Sequence, residues 1–449
     1  MLQGYVHPDF GRVADLLSKQ IPRNRPGGAA LSVYHKGQCV VDIWGGTQNR
    51  DGDPWCSDTL SLSFSTTKGV ASTLLHILVD QGYLNYDDPV SKHWPEFGQK
   101  SKAAITVRQL LCHEAGLYHI RQMIDDAEQM VDWNFMTTAI ERAKPIHEPG
   151  TNHGYHALTY GWLIGELIQR VTNKTFAEVL DELITQPLAL DGLFVGLPPS
   201  ENARRAELVN SIVNKKAGTF QGDRATQKLA LMALTKGLKV ANVDLDKTIA
   251  ALMPKGAMEL DFNHSDFTSA CLPAVNGMFT ARSLAKLYAL LANGGELDGI
   301  RLISRENMNE IMQIQNRTMG DVIPVPMHWR LGYHRVFAFG RATSLSFGHF
   351  GFGGSGAWAD PIRNLSIGLT LNSGVGTPFG DARILQITTA VIKAAEKRYL
   401  LPDCESVSGI GPFFPRDRRN NTRKSTYGTA KKLVTGVLPK RRKSDVPVM

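Results

Sequence analysis

The sequence predicts a mixed α/β protein of the α+β type, in which an antiparallel sheet is flanked by helices and interrupted by an all-helical insertion. Three observations carry that prediction. Apolar, strand-like runs lie near both ends of the chain; the stretch between them reads at helical period; and from Gly277 the first pattern resumes. The expected division is a discontinuous sheet domain of residues 1–82 and 275–400, a helical domain of 83–274, and an extension of 401–449.

Asp9 to Ile21 sets Phe10, Val13, Leu16 and Leu17 on one helical face, and Arg23-Asn24-Arg25-Pro26-Gly27-Gly28 ends it. Two apolar runs, 29–34 and 38–46, flank a His35-Lys36-Gly37 turn, which is a hairpin signal. After a polar loop, Val70, Ala71, Leu74, Leu75, Leu78 and Val79 recur at helical spacing, so a helix is expected with Ser65 in its first turn and Gly82 as its stop. Residues 107–111, 133–143, 158–171, 176–183 and 228–238 read as helices of the insertion. Beyond Gly277 the pattern gives helices over 281–293 and 305–315, strands over 331–337, 357–359 and 365–371, and a closing helix over 382–395.

The chain has 449 residues, 43% of them hydrophobic and 20% charged, which suits a globular enzyme with a large core. Met1 to Phe10 lacks a basic start followed by an apolar run, so no signal peptide is expected, and no run approaches the ~20 apolar residues that span a bilayer. The five cysteines are scattered and odd in number, which points to a reducing compartment and away from disulfides or a cysteine metal site. His113-Glu114 with His119 lacks the spacing of a metalloprotease helix. The expectation is a cytoplasmic protein without metal or cofactor.

The net charge of +8 is unevenly placed: Arg416 to Met449 holds eleven basic and two acidic residues, a net of +9, leaving about −1 for the rest. The bland reading of this tail is a solvated extension. The sharper one is reversible, weak contact of its clusters, 416–424 and 440–443, with an anionic membrane. It lacks the aromatics of a nucleic-acid binder, and no specific nucleic-acid partner is expected.

Ser65-Thr66-Thr67-Lys68 is a Ser-x-x-Lys tetrad at a helix start. Side chains three apart share a face, so Lys68 can lie beside the Ser65 hydroxyl. The first N–H groups of a helix lack intrahelical partners, so the Ser65 N–H is free to bond an oxyanion. Taken alone, the tetrapeptide reads as an ordinary solvated helix start. Two other stretches supply partners. His147 to Glu166 places Tyr155 in a Pro/Gly-rich loop before a helix, and Ser346 to Pro361 is rich in glycine where a strand begins. By itself Tyr155 is a half-buried tyrosine, Tyr160 and Trp162 are core, and His153 and His156 are structural. Ser355 is rejected as a nucleophile because Gly353-Gly354-Ser355-Gly356-Ala357 is not a Gly-x-Ser-x-Gly elbow.

With these three stretches the chain resembles the serine β-lactamase and penicillin-binding-protein superfamily, and more narrowly the class C β-lactamase-like, family VIII carboxylesterases. Residues 82–90, 105–117 and 276–285 look like further signatures, so the resemblance covers most of residues 1–400. It implies the β-lactamase/transpeptidase-like fold. It also implies Ser65 as the acylated nucleophile, Lys68 as its proton partner, and Tyr155 as base toward Ser65 and then acid toward the leaving group. Those roles need pKa values lowered by buried positive charge, which Lys68 and Tyr155 would do to each other. His349-Phe350-Gly351 matches the substrate-binding third motif, and the N–H of Phe352, on the same strand, would join that of Ser65 in an oxyanion hole.

Two departures narrow the chemistry. The Tyr-x-Asn of class C enzymes is here Tyr155-His156-Ala157, and Ala157 has no polar group to offer. His349 replaces the Lys that pairs with a β-lactam carboxylate. The expectation is a serine carboxylesterase acting on a small-molecule ester of small to medium acyl chain. The alternatives are a β-lactamase, D-Ala-D-Ala peptidase or acyltransferase of the same mechanism, or a non-catalytic scaffold of the same fold.

Overall fold

Both ends of the chain contribute strands to one seven-stranded antiparallel sheet in the computed structural model, which describes residues 1–211, 245–257, 259–323, 325–374 and 381–399. The strands are β1 Gln3–Val6, β2 Gly28–His35, β3 Gln38–Gly46, β4 His334–Arg335, β5 Phe347–Phe350, β6 Gly356–Asp360 and β7 Leu365–Leu371. Their spatial order is β1-β3-β2-β7-β6-β5-β4. The two ends meet where β2 pairs with β7, Leu31 opposite Leu369 and Val33 opposite Ile367.

Both faces are covered, which is why β2 and β7 read as continuous apolar runs rather than alternating ones. Helices α1, Gly11–Gln20, and α5, Ala382–Tyr399, pack on one face with Leu31, Ile43, Phe350, Trp358 and Ile367. The other face packs on α2, Thr66–Asp80, and α4, Ala281–Ala292; Phe347, Ala357 and Ala359 join that larger core. The two-residue period of a strand thus sends Trp358 outward and its neighbours inward, and puts His349 on the inner face with Phe347. The inner core continues into the helical segment, where α3, Tyr160–Thr172, packs against α2. Every described residue belongs to one compact unit, Met1–Phe413.

Helix α2 is buried on all sides from Thr66 to Leu78. Two of its hydroxyls bond back to the helix's own carbonyls, Ser72 donating to Lys68 O at 2.6 Å and Thr73 to Gly69 O at 2.7 Å. Gly69 is required here, since a Cβ would sit 2.0 Å from the Tyr288 hydroxyl of α4.

Some boundaries differ from expectation. The run 331–337 is strand only at His334–Arg335. Gly332 turns the chain with φ +78° and donates to Leu111 O, so the backbone before His334 cannot pair. The helix expected over 305–315 stops at Ile311, because Gln315 and Asn316 pair with Trp329 instead. The strand β1 carries no alternation and was not expected. The helix expected over 228–238 and the extension 401–449 lie outside the described residues.

Candidate active site

The turn before α2 is held by a second small sheet, in which Ser61–Leu62 and Leu193–Phe194 flank Met278–Phe279. Ser63 N–H donates to Gly277 O at 2.9 Å. Phe64 then adopts φ +44°, a left-handed conformation that costs an aromatic residue energy and tightens the turn into the helix. Ser65 follows with helical angles, immediately before α2. It is half-buried while Phe64, Thr66, Thr67 and Lys68 are buried, so Ser65 is the reachable side chain of the tetrad.

Lys68 is fully buried and, among the described residues, contacts no carboxylate. Its Nζ lies 3.1 Å from Ser65 Oγ, 2.6 Å from Ala157 O and 3.0 Å from Ala274 O. Burial pushes its pKa well below the ordinary lysine value. A neutral amine has two N–H bonds and one lone pair. With both bonds directed to the carbonyls of Ala157 and Ala274, the lone pair faces the Ser65 hydroxyl. The Ala157 position therefore does offer a polar group, its main-chain carbonyl, which corrects the expectation drawn from its side chain.

Tyr155 is buried, its ring stacked on Trp329 at 5.6 Å and on His349 at 6.1 Å, with Lys68 Nζ 5.0 Å from its centroid. Among the described residues its hydroxyl has no partner that meets hydrogen-bond geometry, and only a looser interaction with Ser65. Burial raises the phenol pKa, and Ser65 lowers it by less. The expected mutual lowering therefore holds for neither group as stated: Lys68 is lowered by burial, and Tyr155 is raised. The neutral state leaves Tyr155 a proton donor.

The end of β5 closes over the serine. Gly351 packs so tightly on the Ser63 turn that a Cβ would fall 2.2 Å from Ser63 O. Phe352 lies in the turn after β5 rather than on the strand, with its ring 5.7 Å from that of Phe64. No hydrogen bond among the described residues uses the N–H of Ser65 or of Phe352. Phe350 differs from expectation, since its ring lies in the layer with Trp358 and α1. Its N–H donates to His334 Nε2 at 2.9 Å and its carbonyl accepts from His349 Nδ1 at 3.2 Å.

His349 is therefore protonated on Nδ1, and its buried Nε2 has no partner among the described residues. Burial holds its pKa well below that of free histidine, helped by His334 and Lys68. His113 and His156 form a second neutral layer behind Tyr155. The His113 ring lies 5.0 Å from that of Tyr155, and Nδ1 accepts from His156 N–H at 3.2 Å. Burial pushes His113 well below its ordinary value and His156 down to about 3. A shallow depression beside Tyr155 and Trp329 is lined by His153, Gly320, Ile323, Val325 and Met327. Among the described residues no cluster of His, Cys, Asp and Glu could hold a metal ion.

The fold thus brings Ser65, Lys68, Tyr155, His349 and Gly351 together with Phe352. Sequence reasoning missed Ala274, Trp329, His113 and His334. A carbonyl ligand such as Ala274 O leaves no trace in side-chain chemistry. Trp329 gave an aromatic signal, but one beside a run read as strand.

Residues 13–391 match the family described as Beta-lactamase. The Esterase/beta-lactamase LipL of Mycobacterium tuberculosis is 35% identical over 373 residues, which is 82% of this chain and 82% of that protein. A solved family VIII carboxylesterase is similar with TM-score 0.75 at 31% identity, covering 88% of this chain and 100% of its own. A penicillin-binding-protein homolog from Caulobacter crescentus gives 0.75 at 32%, with the same coverage. The match over residues 13–391 and the likeness to LipL have one meaning: the chain belongs to the beta-lactamase family.

Proposed function

We propose that the chain is a serine carboxylesterase that forms an acyl-enzyme on Ser65 and hydrolyses it, acting on a neutral small-molecule ester of small to medium acyl chain. The observation that carries this reading is the buried, uncompensated Lys68 aimed at Ser65 Oγ from 3.1 Å by two main-chain carbonyls. The names of LipL and of the family VIII carboxylesterase agree with it.

In the proposed reaction Lys68 Nζ takes the Ser65 proton as Oγ bonds to the ester carbonyl carbon. The N–H groups of Ser65 and Phe352 bind the oxyanion, charge-assisted bonds that matter most in a water-poor site. As the C–O bond to the alcohol breaks, Tyr155 gives its proton to the alkoxide and is reprotonated from the Lys68 ammonium. Water then repeats the cycle on the acyl-enzyme. The site is read as the cleft between a sheet domain, 1–82 with 275–400, and a helical domain, 83–274. His349 contributes a neutral ring, which suits an uncharged ester and gives a carboxylate no cation. That weighs against the β-lactam and D-Ala-D-Ala readings. Acyltransfer to an alcohol remains open to the same acyl-enzyme. Among the described residues no helix is long and apolar enough to cross a membrane, and the proposed location is the cytoplasm.

The test is turnover of p-nitrophenyl acetate, butyrate and octanoate beside nitrocefin, in wild type and Ser65→Ala. Ester turnover that drops by on the order of 10⁴-fold or more in Ser65→Ala supports the assignment. Unchanged turnover refutes it, and nitrocefin turnover well above ester turnover overturns the substrate class.

A further inference from the structure

The Nε2 atom of His349 is a buried acceptor to which the reaction at Ser65 gives no task. Nδ1 donates to Phe350 O at 3.2 Å, so the proton sits on the nitrogen nearer the main chain, and Nε2 on the far edge of the ring keeps its lone pair. His349 is 1% exposed, and among the described residues Nε2 has no hydrogen-bond partner. A buried acceptor without a donor costs stability. The surroundings hold the ring in this state: the His334 ring lies edge-on to it at 4.8 Å, and His334 Nε2 accepts from Phe350 N–H at 2.9 Å, which fixes the strand that carries His349.

Two contacts set this ring beside the reacting groups. A Cβ on Gly69, the residue after Lys68, would lie 3.4 Å from His349 Cβ, so the side chain starts over the first turn of α2. Its ring then stacks on that of Tyr155 at 6.1 Å and 29°. Tyr155 is the group proposed to protonate the departing alkoxide, and its buried hydroxyl is also without a partner among the described residues. The part of an ester that meets Tyr155, its alcohol moiety, is therefore the part that comes nearest to His349. Whatever fills Nε2 must bring the donor, since burial keeps the imidazole neutral. An ammonium donor would be buried with no anion among Tyr155, His334 and Lys68, the groups around the ring; a hydroxyl donates without charge.

We propose that His349 Nε2 accepts a hydrogen bond from a free hydroxyl on the alcohol moiety of the substrate, which makes esters of diols and polyols, with a hydroxyl beside the esterified one, the preferred class. The inference rests on the esterase reading and names the alcohol which that reading leaves open. His349 is then a specificity-determining residue, selecting by what it accepts.

The test is kcat/KM of the wild type on 2-hydroxyethyl butyrate against two analogues. In n-propyl butyrate a methyl replaces the hydroxyl; 2-methoxyethyl butyrate keeps the oxygen and a leaving alcohol of similar acidity but has no O–H. The hydroxyl ester is expected to lead both by about 10²-fold, because the analogues leave Nε2 unpaired. In His349→Leu both ratios fall to within about threefold of one, and in His349→Gln, whose Oε1 accepts, part of the preference returns. Each ratio compares substrates on one protein, so a general loss of activity does not move it, and His349→Phe replaces His349→Leu if the latter does not fold. Equal turnover of the three esters, turnover of none of them while p-nitrophenyl butyrate is cleaved, or a preference that survives in His349→Leu overturns the proposal and leaves the esterase reading in place. Loss of all turnover in wild type, p-nitrophenyl butyrate included, refutes the esterase reading and this proposal with it.

Discussion

Lys68 Nζ donates to the main-chain carbonyl of Ala157 at 2.6 Å, shorter than its 3.1 Å contact with Ser65 Oγ. Ala157 thus holds Lys68 through its main chain, with no polar side chain involved. Ala157→Gly keeps that carbonyl and is expected to retain ester turnover within about threefold, whereas Lys68→Met loses on the order of 10³-fold or more. The neutral amine is the working form, so turnover rises with pH as Lys68 loses its proton. Because burial lowers its pKa, this limb lies well below the ordinary lysine range. A kcat/KM profile in wild type that rises only in the ordinary lysine range would contradict the assignment.

Tyr155 is predicted to matter in proportion to the basicity of the alcohol it protonates. Alkyl alkoxides need its proton; p-nitrophenolate leaves without one. Tyr155→Phe is expected to slow ethyl butyrate hydrolysis by about 10²–10⁴-fold, and acylation by p-nitrophenyl butyrate much less. Equal losses on the two substrates, measured by single-turnover kinetics, would remove the acid role.

Gly351→Ala forces a Cβ to within 2.2 Å of Ser63 O, a backbone atom that cannot swing aside. Stability is expected to fall by about 1–3 kcal/mol, as for other overpacked sites, and ester turnover to fall further because Phe352 is displaced from Ser65. Denaturant unfolding and steady-state kinetics measure the two effects. Wild-type values for both would show that the turn has room.

Acid should unfold the protein through its buried histidines. Burial lowers His76 and His156 to about 3 and His334 to about 4, so the folded chain keeps them neutral while the unfolded chain protonates them below 6.5. The stability they carry is whole above 6.5 and declines as pH falls toward those values, by about 1.4 kcal/mol per unit for each group. The thermal midpoint should drop steeply between pH 6.5 and 4.5. Replacing His156 by Gln, whose Oε1 extends to where His156 Nε2 accepts from Leu117 N–H, should make that drop shallower.

The sequence disclosed those parts of the site that consist of side chains in a fixed local spacing. Ser65 and Lys68 lie on one helix, so three residues of spacing define their contact. Tyr155 and His349 were legible only as motifs, since a chain read in one dimension does not show that their rings stack. The direction of the Tyr155 pKa depended on burial, which no motif encodes. The supports of Lys68 were legible least, because a carbonyl belongs to every residue. In the fold, helices with clear periodicity, such as 107–111, matched closely, whereas short strands such as His334–Arg335 were set by a turn at Gly332 and by pairing partners distant in the chain.

The contact of Gly351 with Ser63 joins residues that are made at opposite ends of synthesis. While the ribosome still holds the second half of the chain, Ser65 and Lys68 already exist but have no Phe352 N–H above them and no β7 beside β2. A nascent or truncated chain therefore carries the nucleophile without the means to stabilise what it forms. Reactivity toward a serine-directed fluorophosphonate should then appear only once the chain through Tyr399 has left the ribosome, making acylation of Ser65 a readout of completed folding.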